Sequence, residues 1–175
     1  AAGAVRRGGT KAGSGPLEGR RDDAERPAEG VHRARDVHLS AAAVVAASGG
    51  STNAALHLPA IAHECGIKFD LFDVAEIFKK TPYVADLKPG GRYVAKDMYE
   101  AGGVPLLMRT LLDHGYLHGE CLTVTGRTVA ENLKKVKWNK DQDVVRPADQ
   151  PLSATGGVVG LNGNLAPEGA IVRVA

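Results

Sequence analysis

Ser48-Gly49-Gly50-Ser51-Thr52-Asn53 is the stretch on which the reading of the fold turns. Two adjacent glycines free the backbone for conformations that a Cβ disfavours. The three residues that follow are all of the type whose side-chain oxygen caps the amino end of a helix. A helix is therefore expected over residues 53–65, with Leu58, Ile61, Ala62 and Cys65 at helical spacing. Gly66 suits the position after its last turn, and Pro59 inside the run predicts a kink or marks the true first turn. Upstream, residues 41–47 are small and apolar, which suits a closely packed buried helix.

Downstream the punctuation is regular. Asp70 opens a helix with Leu71, Val74, Ile77 and Phe78 on one face and Lys79 and Lys80 at its carboxyl end, where cations suit the dipole. Thr81-Pro82 stops it. Residues 83–87 read as extended and residues 88–91 as a turn. A short helix over residues 94–101 ends at Gly102-Gly103, and Pro105 sits in the first turn of another that Gly115 closes. Residues 121–124 alternate like a strand, and Thr128 with Glu131 has the capping-box pattern. Past Lys140, short β-type runs (144–145, 152–154, 158–159 and 170–174) alternate with glycine turns. The class expected is α/β (mixed), with helices giving way to strands near residues 140–150.

Residues 1–36 are rich in Ala, Gly, Arg, Asp and Glu, with Val5, Leu17 and Val31 as the bulky exceptions. Such a segment offers little apolar surface against its chain entropy, so residues 1–39 are expected to be disordered or foreign to the rest. The acidic residues from Glu18 to Asp36 argue against a transit peptide, and a frame-shifted reading of GC-rich DNA has the same composition. The chain begins at Ala1 and ends within a strand-like run, which suggests that both ends are cuts. Otherwise the composition, 43% hydrophobic and 24% charged, provides for a core. A net charge of +2 and eight aromatic residues argue against nucleic acid as a partner. No apolar run is long enough to span a bilayer. Two cysteines are too few for a disulfide framework, which leaves a cytoplasmic setting as the default.

Candidate chemistry is sparse. Free N–H groups at a helix start beside the hydroxyls of Ser51 and Thr52 and the amide of Asn53 make a natural anion site; the plainer alternative is a helix cap with glycines for close approach. Cys65, Cys121, His57, His63, His114 and His118 invite a metal reading. The cysteines lie far apart, however, and Gly115 interrupts the helix that would align His114 with His118. The expectation is packed or surface residues and no metal. Lys134, Lys135 and Lys137 beside Trp138 read as a solvated helix end.

Four longer runs say more. Residues 49–64 (GGSTNAALHLPAIAHE), 81–91 (TPYVADLKPGG), 117–128 (LHGECLTVTGRT) and 156–170 (GGVVGLNGNLAPEGA) closely resemble the dihydroxy-acid and 6-phosphogluconate dehydratase family. The resemblance runs from about residue 41 to residue 175, and the first forty residues lie outside it. It implies an internal fragment: residues 40–143 as the later, largely helical part of an N-terminal α/β domain, and residues 144–175 as the first strands of a β-barrel domain.

The family implies a hydro-lyase. A 2,3-dihydroxy acid loses water to an enol, which becomes a 2-oxo acid. An iron–sulfur cluster acts as Lewis acid on the departing 3-hydroxyl, Mg2+ held partly by a carbamylated lysine binds the carboxylate end, and a serine takes the proton from carbon 2. The cluster cysteines and the Cys-Asp-Lys motif of the family lie upstream of the matched region and the serine downstream, so none is expected here. The resemblance thus implies valine and isoleucine synthesis, with a 6-phosphogluconate or aldonate dehydratase or a non-catalytic truncated scaffold as alternatives. It also implies a small-molecule substrate and a homodimer at full length. The fragment itself is expected to be inactive and to bind neither cluster nor Mg2+. The only substrate-binding candidates are Ser51, Thr52 and Asn53.

Overall fold

The computed structural model describes residues 27–174. Its elements in chain order are α1 (Pro27–Ala47), α2 (Thr52–Glu64), α3 (Leu71–Lys80), α4 (Ala95–Ala101), α5 (Gly103–Asp113), α6 (Val129–Leu133), β1 (Val158–Gly163) and β2 (Ala166–Arg173). Helices followed by an antiparallel pair are the mixed α/β class read from the sequence. No helix of the described residues is long and apolar enough to cross a membrane.

Helix α1 is the wall between two cores. Ala42 and Ala46 are fully buried against Ala55 and Ala62 of α2, Val74 and Phe78 of α3, and Val158 of β1. Ala43 and Ala47, one residue further round, face a second cluster built on Leu106, Leu107 and Leu111 of α5 with Val84, Val144 and Val145. Small side chains let both layers approach the helix backbone, and close fit of this kind is what interior dispersion requires.

The expectation of a structureless stretch up to residue 39 is corrected for residues 27–39; residues 1–26 lie outside the described residues. Those thirteen residues are helical because the helix they extend is already held and a few contacts suffice. Ala34 and Leu39 pack on the α1–α3 core. His38 is buried with its ring 6.1 Å from that of Phe69, and its Nδ1 pairs with Ala34 O at 3.0 Å. Arg35 reaches Asp73 across to α3 at 3.7 Å.

The cap signals hold where the oxygen is a carboxylate or threonine hydroxyl. Asp70 Oδ1 accepts from the N–H groups of Phe72 (2.8 Å) and Asp73 (3.1 Å), while Asp73 Oδ2 accepts from Asp70 N–H at 3.0 Å. Thr128 and Glu131 reciprocate in the same way at the start of α6. Pro59 lies inside α2, which runs through it. The strand expected at residues 121–124 is instead a turn, closed by a single bridge between Leu122 and Thr128.

β1 and β2 form one antiparallel hairpin, with Val158 opposite Arg173 and an irregularity between Leu161 and Gly163. The earlier β-type runs make isolated bridges: Ala85 with Val145 and Tyr83 with Ser153. The change from helix to strand past residue 144 brings no break in the core, since Val144, Val145 and Ala148 share one hydrophobic cluster with α5, and Val158 shares the other with α3.

Gly49 and Gly50 turn the chain from α1 into α2 with φ of +93° and +76°. A Cβ on Gly50 would lie 2.6 Å from Val158 Cγ2 and 2.8 Å from Phe78 Cε1. Gly50→Ala is therefore expected to cost about 2–4 kcal/mol, the sum of a left-handed backbone and an overfilled core. Gly66→Ala, at positive φ but in open space, should cost only about 1 kcal/mol. Urea denaturation of the two variants checks the difference.

Candidate functional site

The turn that carries the sequence candidates is set by how α1 ends. Gly50 N–H donates back to Val45 O at 2.9 Å and Gly49 N–H to Ala46 O at 3.2 Å, a glycine-closed helix end. The chain re-enters a helix immediately, with Ser51 extended (φ −150°, ψ 130°) at the N-cap position of α2. Its hydroxyl makes no capping hydrogen bond, and the first turn of α2 carries no acidic residue. Thr52 and Asn53 are exposed. The amino end of α2 thus keeps N–H groups that no side chain caps, and its positive dipole end meets no carboxylate from its own first turn. The three candidates do come together at that end, and the geometry can receive an anionic group.

A second cluster escapes sequence reading because its members are some fifty residues apart. Asp86 is buried, and Arg92 binds it through Nε at 2.5 Å while the Arg92 backbone N–H donates to Asp86 Oδ1 at 3.0 Å. Arg92 continues to Asp143 at 3.0 Å, and the Tyr93 hydroxyl also donates to Asp143. The clasp ties the residue 86–93 loop to the segment entering Val144. Hydrogen bonds first from Tyr93 and then from Arg92 hold the Asp143 carboxyl below its usual range. Asp143 thus favours the folded state above the usual carboxylate pKa, and this support is lost as pH falls through the lowered value. The only local signal for this site is Arg92-Tyr93 placed one glycine turn after Asp86.

The histidines and cysteines scatter. His57, His63 and His114 are exposed, and His114 Nδ1 pairs with Thr110 O at 2.8 Å. His118 is the exception, with Nδ1 3.3 Å from Glu120 Oε1 and 4.0 Å from Asp36 Oδ1. These three could together offer an imidazole and two carboxylates to a cation. Asp36 belongs to the segment read from sequence as structureless, which is why the grouping was missed. Asp36 lies on α1 and His118 and Glu120 on the loop after α5, so the grouping spans the two elements. Lys134, Lys135 and Lys137 are exposed as expected, with Trp138 half out of solvent at a hollow it shares with Val136 and Pro147.

A family model described as dihydroxy-acid/6-phosphogluconate dehydratase N-terminal matches residues 30–132. The chain belongs to that family. The match begins inside α1, upstream of the residue 41 expected from the sequence, which agrees with the helix extending there. Among relatives of this dehydratase family, the chain is 85% identical over 136 residues to dihydroxy-acid dehydratase 2 of Bradyrhizobium diazoefficiens, covering 78% of this chain and 24% of the relative. It is 80% identical over 136 residues to dihydroxy-acid dehydratase 2 of Mesorhizobium japonicum, covering 78% and 23%. The dihydroxy-acid dehydratase of Parvibaculum lavamentivorans is 71% identical over the same length, covering 78% and 24%. The chain spans about a quarter of the length of these curated relatives.

The donor set of this stretch does not fit an iron–sulfur cluster. Such clusters are held by several thiolates. The whole sequence has two cysteines. Cys65 is exposed at the carboxyl end of α2, and Cys121 is buried. Burial, with Glu120 and Asp36 nearby, pushes the Cys121 thiol above its usual range, so it is held as thiol rather than as the thiolate a metal needs.

The missing cap bond gives a direct comparison between two helix starts. Ser51→Ala is expected to change stability by less than about 0.5 kcal/mol, and Asp70→Ala, which loses two cap bonds, to cost about 1 kcal/mol. Thermal melts of both variants at neutral pH check this.

Proposed function

We propose that the chain is an internal part of a dihydroxy-acid dehydratase, a hydro-lyase that removes water from a 2,3-dihydroxy carboxylic acid to give a 2-oxo acid in valine and isoleucine synthesis. The observation that carries the reading is 85% identity over 136 residues to a protein named for that activity. Residues 144–175 open the β-barrel domain of the longer polypeptide, and residues 40–143 close its N-terminal α/β domain. The iron–sulfur cluster and Mg2+ belong to that longer polypeptide, a cytoplasmic homodimer that binds neither nucleic acid nor membrane. The substrate is a small molecule.

Within this stretch, Ser51, Thr52 and Asn53 orient the substrate carboxylate. Support comes from the uncapped amino end of α2, where Ser51 makes no cap bond and Thr52 and Asn53 are exposed. A hydroxyl with no cap bond is free to donate to a ligand, and exposure leaves the neighbouring groups reachable. The helix dipole favours the charged form of a carboxylate there.

Two experiments test the reading. In an intact homologue, the variants equivalent to Ser51→Ala and Thr52→Val should lower kcat/KM by more than about tenfold with melting almost unchanged. Wild-type turnover from both would remove the substrate role and leave a plain turn. The 175-residue chain itself should show no dehydratase activity and take up no stoichiometric iron and sulfide on anaerobic reconstitution, because two thiols do not make a cluster site. A brown protein with near-stoichiometric iron would overturn that expectation.

A further inference from the structure

Asp36, His118 and Glu120 bring three ligand atoms within 4.8 Å of one another. His118 Nδ1 lies 3.3 Å from Glu120 Oε1 and 4.0 Å from Asp36 Oδ1. Hydrogen bonding accounts for the grouping poorly. One ring nitrogen carries at most one proton, so it can donate to only one of the two carboxylates. The Glu120 distance is long for such a bond, and the Asp36 distance is beyond it. The two carboxylates meanwhile repel each other. A divalent cation, unlike a proton, can be shared by all three.

The backbone that carries these atoms is held in place. Asp36 and Ser40 lie four residues apart on one face of α1, and Ser40 Oγ accepts from His118 N–H at 3.2 Å. Gly119, between the two loop ligands, is wedged between α5 and α6: a Cβ there would lie 2.9 Å from Leu112 Cδ1 and 3.2 Å from Ala130 Cβ. Gly119 O accepts from Ala130 N–H and Cys121 O from Val129 N–H, both at 2.9 Å. The loop is thus pinned to α1 on one side and to the first turn of α6 on the other. The ligand side chains stay reachable, at 31% exposure for Asp36, 40% for His118 and 72% for Glu120.

The donor set selects the ion. An imidazole with two carboxylates suits Zn2+ and the neighbouring first-row divalent ions, whereas Mg2+ and Ca2+ prefer oxygen alone. Tetrahedral ligands about 2.0–2.2 Å from Zn2+ stand roughly 3.3–3.5 Å from one another. His118 and Glu120 already stand at that separation, and Asp36 has to close by less than about 1 Å. The two carboxylates balance the charge of the ion, Nδ1 takes the metal while Nε2 keeps the ring proton, and water fills the fourth position. We propose that Asp36, His118 and Glu120 form a site for a divalent transition metal, Zn2+ before the others, which fastens the loop after α5 to α1. The site uses none of Ser51, Thr52 and Asn53 and does not rest on the substrate role given to that turn.

The test is a titration of the full 175-residue chain, first stripped with a chelator, with Zn2+ against a chromogenic competitor. Co2+ and Mg2+ form two further arms. One equivalent of Zn2+ should bind with a Kd of about micromolar or tighter. Tm should rise with Zn2+ concentration, because only the folded chain brings the ligands together. Mg2+ should bind about a hundredfold more weakly or less. Co2+ should give visible d–d bands and no thiolate charge-transfer band, since the set holds no cysteine. His118→Gln and Asp36→Asn should each weaken Zn2+ by about tenfold or more, while His57→Gln, at an exposed position on α2, should keep the parental affinity. Should either ligand variant lose the parental circular dichroism, Glu120→Gln, at the most exposed of the three, decides in its place. Parental Zn2+ affinity in a folded ligand variant would overturn the site, as would Mg2+ binding as tight as that of Zn2+. A thiolate band would overturn the three-residue set. Equal losses in His57→Gln and His118→Gln would leave adventitious surface binding only.

Discussion

The structure depends on one helix that buries alanine on two adjoining faces. Ala42 and Ala46 point into one core, and Ala43 and Ala47 into the other, all at 3% exposure or less. Neither layer can retreat if these side chains grow, because each core is close-packed against the α1 backbone. The constraint extends past side chains. A Cβ on Gly156 would sit 2.9 Å from Ala46 Cβ, so the approach to β1 is also fitted to the alanine wall.

The carboxyl end of the same helix organises what surrounds the candidate turn. Helices end with carbonyls that lack intrahelical partners. Here Ala47 O accepts from both Val84 N–H and Ala85 N–H at 2.9 Å. That pair of hydrogen bonds anchors the extended residues 83–87 against the end of α1, which brings Tyr83 onto Gly49 and Asp86 within reach of Arg92. From there the chain of contacts runs on through Arg92 to Asp143 and so to the β-rich end. The glycine turn and the Asp86 clasp are thus consequences of where one helix stops.

What was legible in the sequence is what local chemistry decides. Asp70 and Thr128 announce their helices because a short oxygen-bearing side chain satisfies N–H groups two or three residues on, and the structure shows those bonds. Gly49-Gly50 was legible as a break between helices. The role of Ser51 was legible only in part: the residue takes the N-cap position, but its hydroxyl makes no cap bond. Residues 27–39 were misread because composition weighs a segment as if it stood alone. Joined to an already buried helix, Ala34, His38 and Leu39 need only a narrow apolar stripe. The Asp86–Arg92–Asp143 clasp and the burial of the Tyr83 hydroxyl were out of reach for a different reason. They depend on residues far apart in sequence, whose approach is fixed by the cores and not by any local pattern.

The family relationship and the chemistry rest on different residues. Identity of 85% over 136 of the 175 residues takes in the alanine wall and the glycine turn, which are the parts that set where backbone and helix ends lie. A fold of this kind positions groups; it does not by itself polarise a hydroxyl or remove a proton from carbon. Those steps need a strong base and a Lewis acid, and the thiols at hand are one exposed cysteine and one buried cysteine kept protonated by its surroundings. On the proposed reading, the part left to this stretch is binding and orientation. The uncapped amino end of α2 is a feature of that sort: its dipole favours an anionic oxygen, and it supplies no proton transfer that would break a carbon–oxygen bond.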